Sequence, residues 1–412
     1  MKILIVTHYF PPEIGAPQAR LSGLAAAWAA DGDEVTVLTG MPNHPTGVIP
    51  PQYRRALRRR EWRDGYRVVR TWLYATPNEG VARRTLGYLS FMVSSVLLGA
   101  RASGPADVVL VSSPSFFAIG SAVLLARLKR ARLVVEIRDL WPAIFTELGV
   151  LTNRRVIAVL ERLELAAYAA ADEVVVVSDG FRADLIARGV PAAKVHTIRN
   201  GVNPVHFDPA APADRQLRAR LGASPGDCLV LYLGTHGISQ GLPAVADAAA
   251  RLPGGGVQPI RFAFVGEGAD KTRLRDRIAQ HRLDNTRMLP SVPHGQVPAL
   301  LAAADICLVP LRDVPLFSSF IPSKMFECLA AGRPVIGALA GEATQILREA
   351  GAVVVPPEDS NALAAAIAEL AADPERRQQM ARRGRCYVEK YFDRLTLARL
   401  YRKLLEQGGG RA

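Results

Sequence analysis

Short β-branched apolar runs alternate along this 412-residue chain with longer stretches whose apolar positions recur at helical spacing. Residues 1–7, 35–38, 108–111, 133–137 and 174–177 read as strands, and residues 16–30, 115–129 and 156–170 as helices. The strand runs are continuously apolar rather than alternating. Such runs are buried on both faces, which predicts parallel sheets covered by helices. The pattern restarts after residue 210, with strands over 228–233, 262–265, 306–309, 335–336 and 353–355. Between the two sets, residues 200–209 are rich in turn formers and hold two prolines, as suits a linker. Residues 375–405 read as two further helices.

Length agrees with this division, because single cores stop growing near roughly 250–300 residues. The expected organisation is α/β, with two Rossmann-like, doubly wound domains over residues 1–205 and 206–385. A last segment, 386–412, is expected to cross back to the first domain. Ligands of such sheets bind beyond the carboxyl ends of the strands, where helix N-termini favour phosphate.

Composition, 49% hydrophobic and 22% charged, is that of a globular protein and excludes a disordered or collagenous chain. Cys228, Cys307, Cys328 and Cys386 form no C-x-x-C pair and are expected to be reduced, buried thiols of a cytoplasmic protein. No metal-ligand spacing is visible. The first seven residues are too short for a signal-peptide core.

The formal charge of +13 is uneven. Residues 53–84 hold ten Arg against Glu61, Asp64 and Glu79, a net of +7. This basic stretch faces nucleic acid, an anionic membrane or water. The sixteen residues that follow, 85–100, are mostly apolar and flanked by Arg83, Arg84 and Arg101. They fall short of the roughly 20 needed to span a bilayer. As an interfacial helix they would meet anionic lipid; the other reading is a buried helix preceded by a solvated basic loop. Nucleic acid is disfavoured, since no aromatic-interleaved basic surface or recognition module is present.

Five segments offer chemistry. After the first strand, His8-Tyr9-Phe10-Pro11-Pro12-Glu13-Ile14-Gly15 makes a loop in which Gly15 lets a ligand approach the backbone. It is not G-x-G-x-x-G, which weakens a dinucleotide reading. Glu136-Ile137-Arg138-Asp139 closes another strand. There Asp139 is placed to position an acceptor hydroxyl and Arg138 to face phosphate, unless the two form an ion pair that orders the loop. Gly234-Thr235-His236-Gly237 and Gly266-Glu267-Gly268 are tight, small-residue turns after strands, suited to cradling an anion. The most specific segment is Ile321-Pro322-Ser323-Lys324-Met325-Phe326-Glu327. Ser323 reads as an N-cap and Lys324 as a first-turn cation that a diphosphate would favour. Glu327 lies one turn on, as a carboxylate able to take a ribose diol.

Together these motifs resemble glycosyltransferase family 4, the retaining GT-B transferases, over almost the whole chain. Three further stretches take part: "EVVVVSDGFRADLI", "MLPSVPHGQVPALLAAADICLVPL" and "IPSKMFECLAAGRPVI". The likeness is to the bacterial branch of O-antigen, capsule and colanic-acid assembly, with N-acetylfucosaminyl transferases. It implies Gly15 near the donor phosphates, Glu327 on the ribose, and nucleotide contacts around Gly266, Val292 and His294. It also implies metal-free transfer with retention from a UDP-sugar, or a guanine-nucleotide donor, to a saccharide or polyprenyl-diphosphate-linked acceptor. The enzyme would be cytoplasmic or peripheral on the inner membrane. Two departures stand out. Ser319 occupies the place of the first acid in the family's Glu-x₇-Glu pair, and Gln240 sits near the family's phosphate-binding Lys. Phosphate charge would then fall to Lys324, with His236 as the second candidate. Rival readings are an NAD-dependent oxidoreductase, a sugar-nucleotide 2-epimerase of the same architecture, and a non-catalytic nucleotide-sugar binder.

Overall fold

A computed structural model describes residues 1–13, 15–44, 46–76, 81–113, 116–149, 151–252 and 258–407. The chain divides into two compact units, Met1–Asn200 with Arg394–Ala412, and Gly201–Asp393. The first unit holds β1 (Lys2–Val6), β2 (Glu34–Gly40), β3 (Arg58–Arg63), β4 (Tyr66–Thr71), β5 (Val108–Ser112), β6 (Arg132–Ile137), β7 (Glu173–Val176) and β8 (Val195–Thr197). They form one sheet in the order β3-β4-β2-β1-β5-β6-β7-β8. Every neighbouring pair is parallel except β3 and β4. The second unit holds β9 (Cys228–Leu233), β10 (Ile260–Val265), β11 (Thr286–Leu289), β12 (Ile306–Pro310), β13 (Val335–Ala338) and β14 (Val353–Val355). They form a wholly parallel sheet in the order β11-β10-β9-β12-β13-β14.

The apolar runs make this possible. Ile3–Val6, Val108–Val111 and Leu229–Tyr232 are buried throughout, as central strands covered on both faces must be. Strand order reverses between β1 and β5 in the first sheet and between β9 and β12 in the second. Those switch points are where a doubly wound sheet opens a crevice at its carboxyl edge.

The domain limits differ from those expected. The units meet at residues 200/201 rather than 205. The helix Pro374–Tyr391 stays with the second unit, so the returning segment begins at Arg394 rather than 386. That segment, the helix Arg394–Gln407, packs on the helix Ala16–Ala30 within the first unit. Trp28 Nε1 donates to the Ala398 carbonyl (2.9 Å), Trp28 meets Tyr401 edge to face, and Arg402 pairs with Asp33 (2.6 Å). The helix expected from residue 115 runs over Phe116–Lys129, and residue 115 lies outside the described residues.

The basic stretch is a β-hairpin and not a loop. β3 and β4 pair antiparallel around a two-residue Asp64-Gly65 turn with both residues at positive φ, the twist-matched geometry for such a connection. β3 is exposed on both faces and lies at the sheet edge, so hydrophobic patterning misses it. Arg70 on β4 is 1% exposed, pairs with Glu61 (3.1 Å), and donates to the carbonyls of Pro11 and Gly40. Part of the basic charge is therefore internal bracing. Residues 85–100 fall in the helices Val81–Leu97 and Gly99–Ala102. Phe91 and Ser95 face inward, while Leu86, Val93 and Leu97 are exposed. Among the described residues no helix is long and apolar enough to cross a membrane.

One buried ion pair ties the first unit together. Arg20 donates to Glu136 (2.6 Å) and to the carbonyls of Arg199 (3.2 Å) and Ile198 (3.3 Å), joining the first helix, β6 and the end of the unit. Glu136→Gln leaves a buried guanidinium uncompensated and is expected to cost about 3–5 kcal/mol in chemical denaturation. The paired replacement Arg20→Met/Glu136→Leu should recover most of that loss.

Candidate functional site

In the second unit, three turns meet at the carboxyl edge of the sheet. Gly234 N donates to Val265 O (3.0 Å) and Gly266 N to Leu289 O (3.1 Å). His236 N donates to Glu267 O (2.8 Å), and Asp270 N to His236 O (2.9 Å). The turns after β9 and β10 thus lie backbone against backbone. A Cβ on Gly266 (φ +156°) would stand 1.8 Å from the Gly234 carbonyl oxygen. One on Gly268 would stand 2.3 Å from that of His236. Only glycine fits. Lys271 braces the second turn, donating to Gly266 O (2.9 Å) and pairing with Glu267 (2.6 Å).

Lys324 reaches this edge from the start of the helix Lys324–Ala330. Its Nζ donates to the Tyr232 hydroxyl (2.6 Å), lies 4.1 Å from the centre of that ring, and would stand 2.7 Å from a Cβ on Gly234. The Tyr232 hydroxyl in turn donates to Thr235 O (2.6 Å). The ammonium is therefore aimed at the glycine turn by a phenol, and among the described residues no carboxylate pairs with it. Burial lowers its pKa from 10.5 to about 8, against the raising influence of Cys328 and Glu327.

His236 does not serve as the second phosphate cation expected for it. It is fully buried, neither ring nitrogen has a partner, and burial with the charges of Lys271 and Lys324 pushes it down to about 4. The ring is neutral at physiological pH. Gln240 is engaged within its own turn, its Oε1 accepting from Gly237 N (3.0 Å).

Ser323 departs from the capping role read from the sequence. Its backbone is already helical (φ −59°, ψ −27°), outside the extended region that a capping residue needs, and its side chain makes no capping bond. Pro322 and Ser323 carbonyls instead open the first turn by accepting from Met325 N (3.1 Å) and Phe326 N (3.2 Å). One turn on, Glu327 Oε1 lies 3.5 Å from Nε2 of His294, the first residue of the turn His294–Gln296. Val292 is half-buried in the loop just before it. The Ser319 hydroxyl donates to Leu316 O (2.8 Å) and closes its own turn. Gly234, His236, Gly266, Val292, His294, Ser323, Lys324 and Glu327 all belong to the second unit.

Gly15, Arg138 and Asp139 belong to the first. Gly15 precedes the helix Ala16–Ala30. Arg138 and Asp139 follow β6, and no ion pair joins them among the described residues, so the loop-ordering pair read from the sequence is absent. Arg138 N donates to Ser113 Oγ (2.8 Å), which fixes the backbone. Its Nε and Nη1 are buried without partners, and burial lowers its pKa. Burial raises the Asp139 carboxyl above the usual range, with Arg138 opposing.

Cys228, Cys307 and Cys328 are buried, while Cys386, expected to be buried too, is exposed. Among the described residues no group of three His, Cys, Asp or Glu side chains could hold a metal ion. Sequence reading missed Tyr232, whose only signal is a hydroxyl placed in an otherwise apolar strand. It also missed Glu13, a buried carboxylate in the first loop.

Two family models match the chain: a glycosyl transferase 4-like domain over residues 15–201, and glycosyl transferases group 1 over residues 213–386. The chain is 30% identical to the putative colanic acid biosynthesis glycosyl transferase WcaI of Escherichia coli K12, over 97% of this chain and 98% of that protein. Its fold is that of GT-B glycosyltransferases. Sucrose-phosphate synthase from Thermosynechococcus elongatus superposes with TM-score 0.75 at 21% identity, covering 98% and 99% of the two chains. Anabaena HepE in complex with UDP and glucose superposes with TM-score 0.73 at 18% identity, covering 99% and 100%.

The strain on Lys324 is testable. Its depressed pKa means that the folded state pays for a charged lysine at neutral pH and is relieved as pH rises from about 8 to 10.5. Lys324→Met is expected to raise the thermal midpoint at neutral pH. That advantage should fade through the same window in melting curves recorded across pH.

Proposed function

We propose that this chain, which belongs to the group 1 glycosyl transferases with a glycosyl transferase 4-like first domain, moves a sugar with retention from a UDP-sugar to a saccharide acceptor of bacterial surface-polysaccharide assembly. The observation that carries the reading is the arrangement in the second unit. An ammonium that no carboxylate pairs with among the described residues lies against a glycine turn, and a carboxylate stands one helical turn further on. A nucleoside diphosphate needs both. Glu327 accepts the ribose hydroxyls, and Lys324 faces the diphosphate. UDP and glucose in the HepE complex support the choice of donor, and the E. coli relative's name supports the polysaccharide role.

In the reaction the bond from the sugar's anomeric carbon to the phosphate oxygen breaks, and a bond to the acceptor oxygen forms on the same face. The acceptor proton passes to the leaving phosphate. Lys324 stabilises the charge that develops there, in a site dry enough to make one cation count. This reading gives that task to a side chain rather than to a metal ion. Arg138 and Asp139 are assigned to the acceptor side, where a carboxyl with a raised pKa suits contact with a hydroxyl.

Contact with an anionic membrane is the second part of the proposal. The packed helices Val81–Leu97, Phe116–Lys129 and Arg154–Ala170 expose Leu86, Val93, Leu97, Leu124, Leu128 and Val159. Exposed Arg83, Arg101 and Arg127 border them. An apolar face edged with arginine matches an anionic lipid surface.

A thermal-shift panel of UDP-, GDP- and TDP-sugars should single out a UDP-sugar by a raised midpoint. With that donor, Lys324→Ala is expected to lower turnover by roughly 10²-fold or more. Turnover should survive chelation, and proton NMR of the product should show the donor's anomeric configuration kept. Pelleting with anionic liposomes should remove the protein from the supernatant at low salt. Leu86→Ser/Leu97→Ser should leave it there.

A further inference from the structure

The second unit holds a cleft of about 570 Å³ at the amino edge of its sheet, the end away from the glycine turns. One wall is made by the segments that lead into β12 and β13, with Asp305 and Arg333. The other is a face of the helix Pro374–Tyr391, from which Arg377, Arg382 and Arg385 line the cleft. Pro209 and Pro334 add apolar surface. The volume is that of a small-molecule site. No residue assigned above takes part in it.

Local structure sets these arginines in place. The helix Lys324–Ala330 is stopped by Gly332, which is left-handed (φ +61°). Gly332 N donates to Leu329 O (3.0 Å) and Arg333 N to Cys328 O (3.1 Å), so the chain turns sharply and brings Arg333 to the cleft. Arg377 Nη1 donates to Leu370 O (2.5 Å) and Ala371 O (2.6 Å), and Arg385 Nη1 to Phe207 O (2.7 Å) and Ala330 O. Those bonds hold two of the guanidinium groups still. The charge of the cleft is one-sided. Asp305, the acid in its walls, is already engaged by Arg218 (2.9 Å) and Leu229 N (2.7 Å). Arg385 pairs with Glu389 (2.6 Å), but among the described residues no carboxylate pairs with Arg333, Arg377 or Arg382. Arg333 Nε is buried without a partner. Burial lowers the pKa of that guanidinium, with Cys307 and Asp305 opposing.

We propose that this cleft binds a small organic compound bearing two phosphate groups. Arginine suits phosphate because its planar fork matches two oxygens at once. The oxygens of one phosphate satisfy fewer forks than the two walls present, and a second phosphate answers the rest. The prolines give the organic body an apolar surface to lie on. Bound anions would also offset the crowding of like charges along the helix face. The site is separate from the donor edge: Lys324 opens its helix at one edge of the sheet, and Gly332 lies past that helix's other end. The inference goes beyond the transferase reading and stands without it.

The test titrates fructose 1,6-bisphosphate, fructose 6-phosphate and inorganic phosphate onto the full chain by calorimetry at one salt concentration. The bisphosphate is expected to bind about tenfold or more tighter than either of the others. Arg382→Gln changes an exposed side chain and should erase that margin, as should Arg333→Gln, while Lys324→Ala keeps it. Cys386 supplies a local reporter, since it lines the cleft and is exposed while the other three cysteines are buried. Its alkylation by N-ethylmaleimide, followed by peptide mass, should slow several-fold with the bisphosphate present, and should not slow in Arg382→Gln. Equal affinities for the three probes, or no binding of the bisphosphate, would overturn the proposal. So would a margin kept in both arginine variants, one lost in Lys324→Ala, or a Cys386 rate that the bisphosphate leaves unchanged.

Discussion

A strand covered by helices on both faces can hold almost no charge along its length, because burying an unpaired charge costs several kcal/mol. Both sheets obey this constraint, and much of the molecule's chemistry follows from it. Charged and polar groups are driven to the carboxyl edges, where the chain leaves each strand. Glu136 tests the rule from inside β6: it is tolerated only because Arg20 lies 2.6 Å away. The candidate donor site occupies such an edge.

The carboxyl edges of the two sheets are built in different ways. In the second unit, backbone packs closely on backbone around Gly234, Gly266 and Gly268, and among the described residues Lys324 brings to that edge an ammonium that no carboxylate pairs with. Tyr232 makes that arrangement workable. Its hydroxyl receives the ammonium's hydrogen bond and passes one on to Thr235, so the charge is oriented without being neutralised. In the first unit buried side chains hold the edge instead: Glu13 accepts from the backbone N–H groups of Phe10, Asn43 and His44, and Arg70 donates to the carbonyls of Pro11 and Gly40.

Much of the fold was legible in the sequence because buried parallel strands announce themselves as unbroken apolar runs. The β3–β4 hairpin was not, since an edge strand reading Arg-Arg-Arg-Glu-Trp-Arg shows no buried face. The Asp64-Gly65 turn was the available signal. At the carboxyl edge of the second sheet, the start of the helix that carries Lys324 and Glu327 was legible from spacing, and the glycine turns from composition. Sequence could not show that Ser323 adopts a helical backbone, that His236 is sealed from water, or that Tyr232 holds Lys324. The last two depend on contacts between segments tens of residues apart. Arg138 and Asp139 are adjacent in sequence, yet among the described residues no ion pair joins them, and Arg138 Nε and Nη1 are buried without partners.

The helix Arg394–Gln407 belongs to the unit whose other residues precede Gly201. Trp28, Asp33 and the face of the helix Ala16–Ala30 wait for partners that ribosomes add about 370 residues later. The second unit, although encoded later, has all its parts before the first does. Synthesis thus inverts the order of completion: the early unit must persist with an uncovered apolar face while the late one closes. A chain stalled or cleaved before Arg394 would leave a finished second unit attached to a first unit that lacks its covering helix.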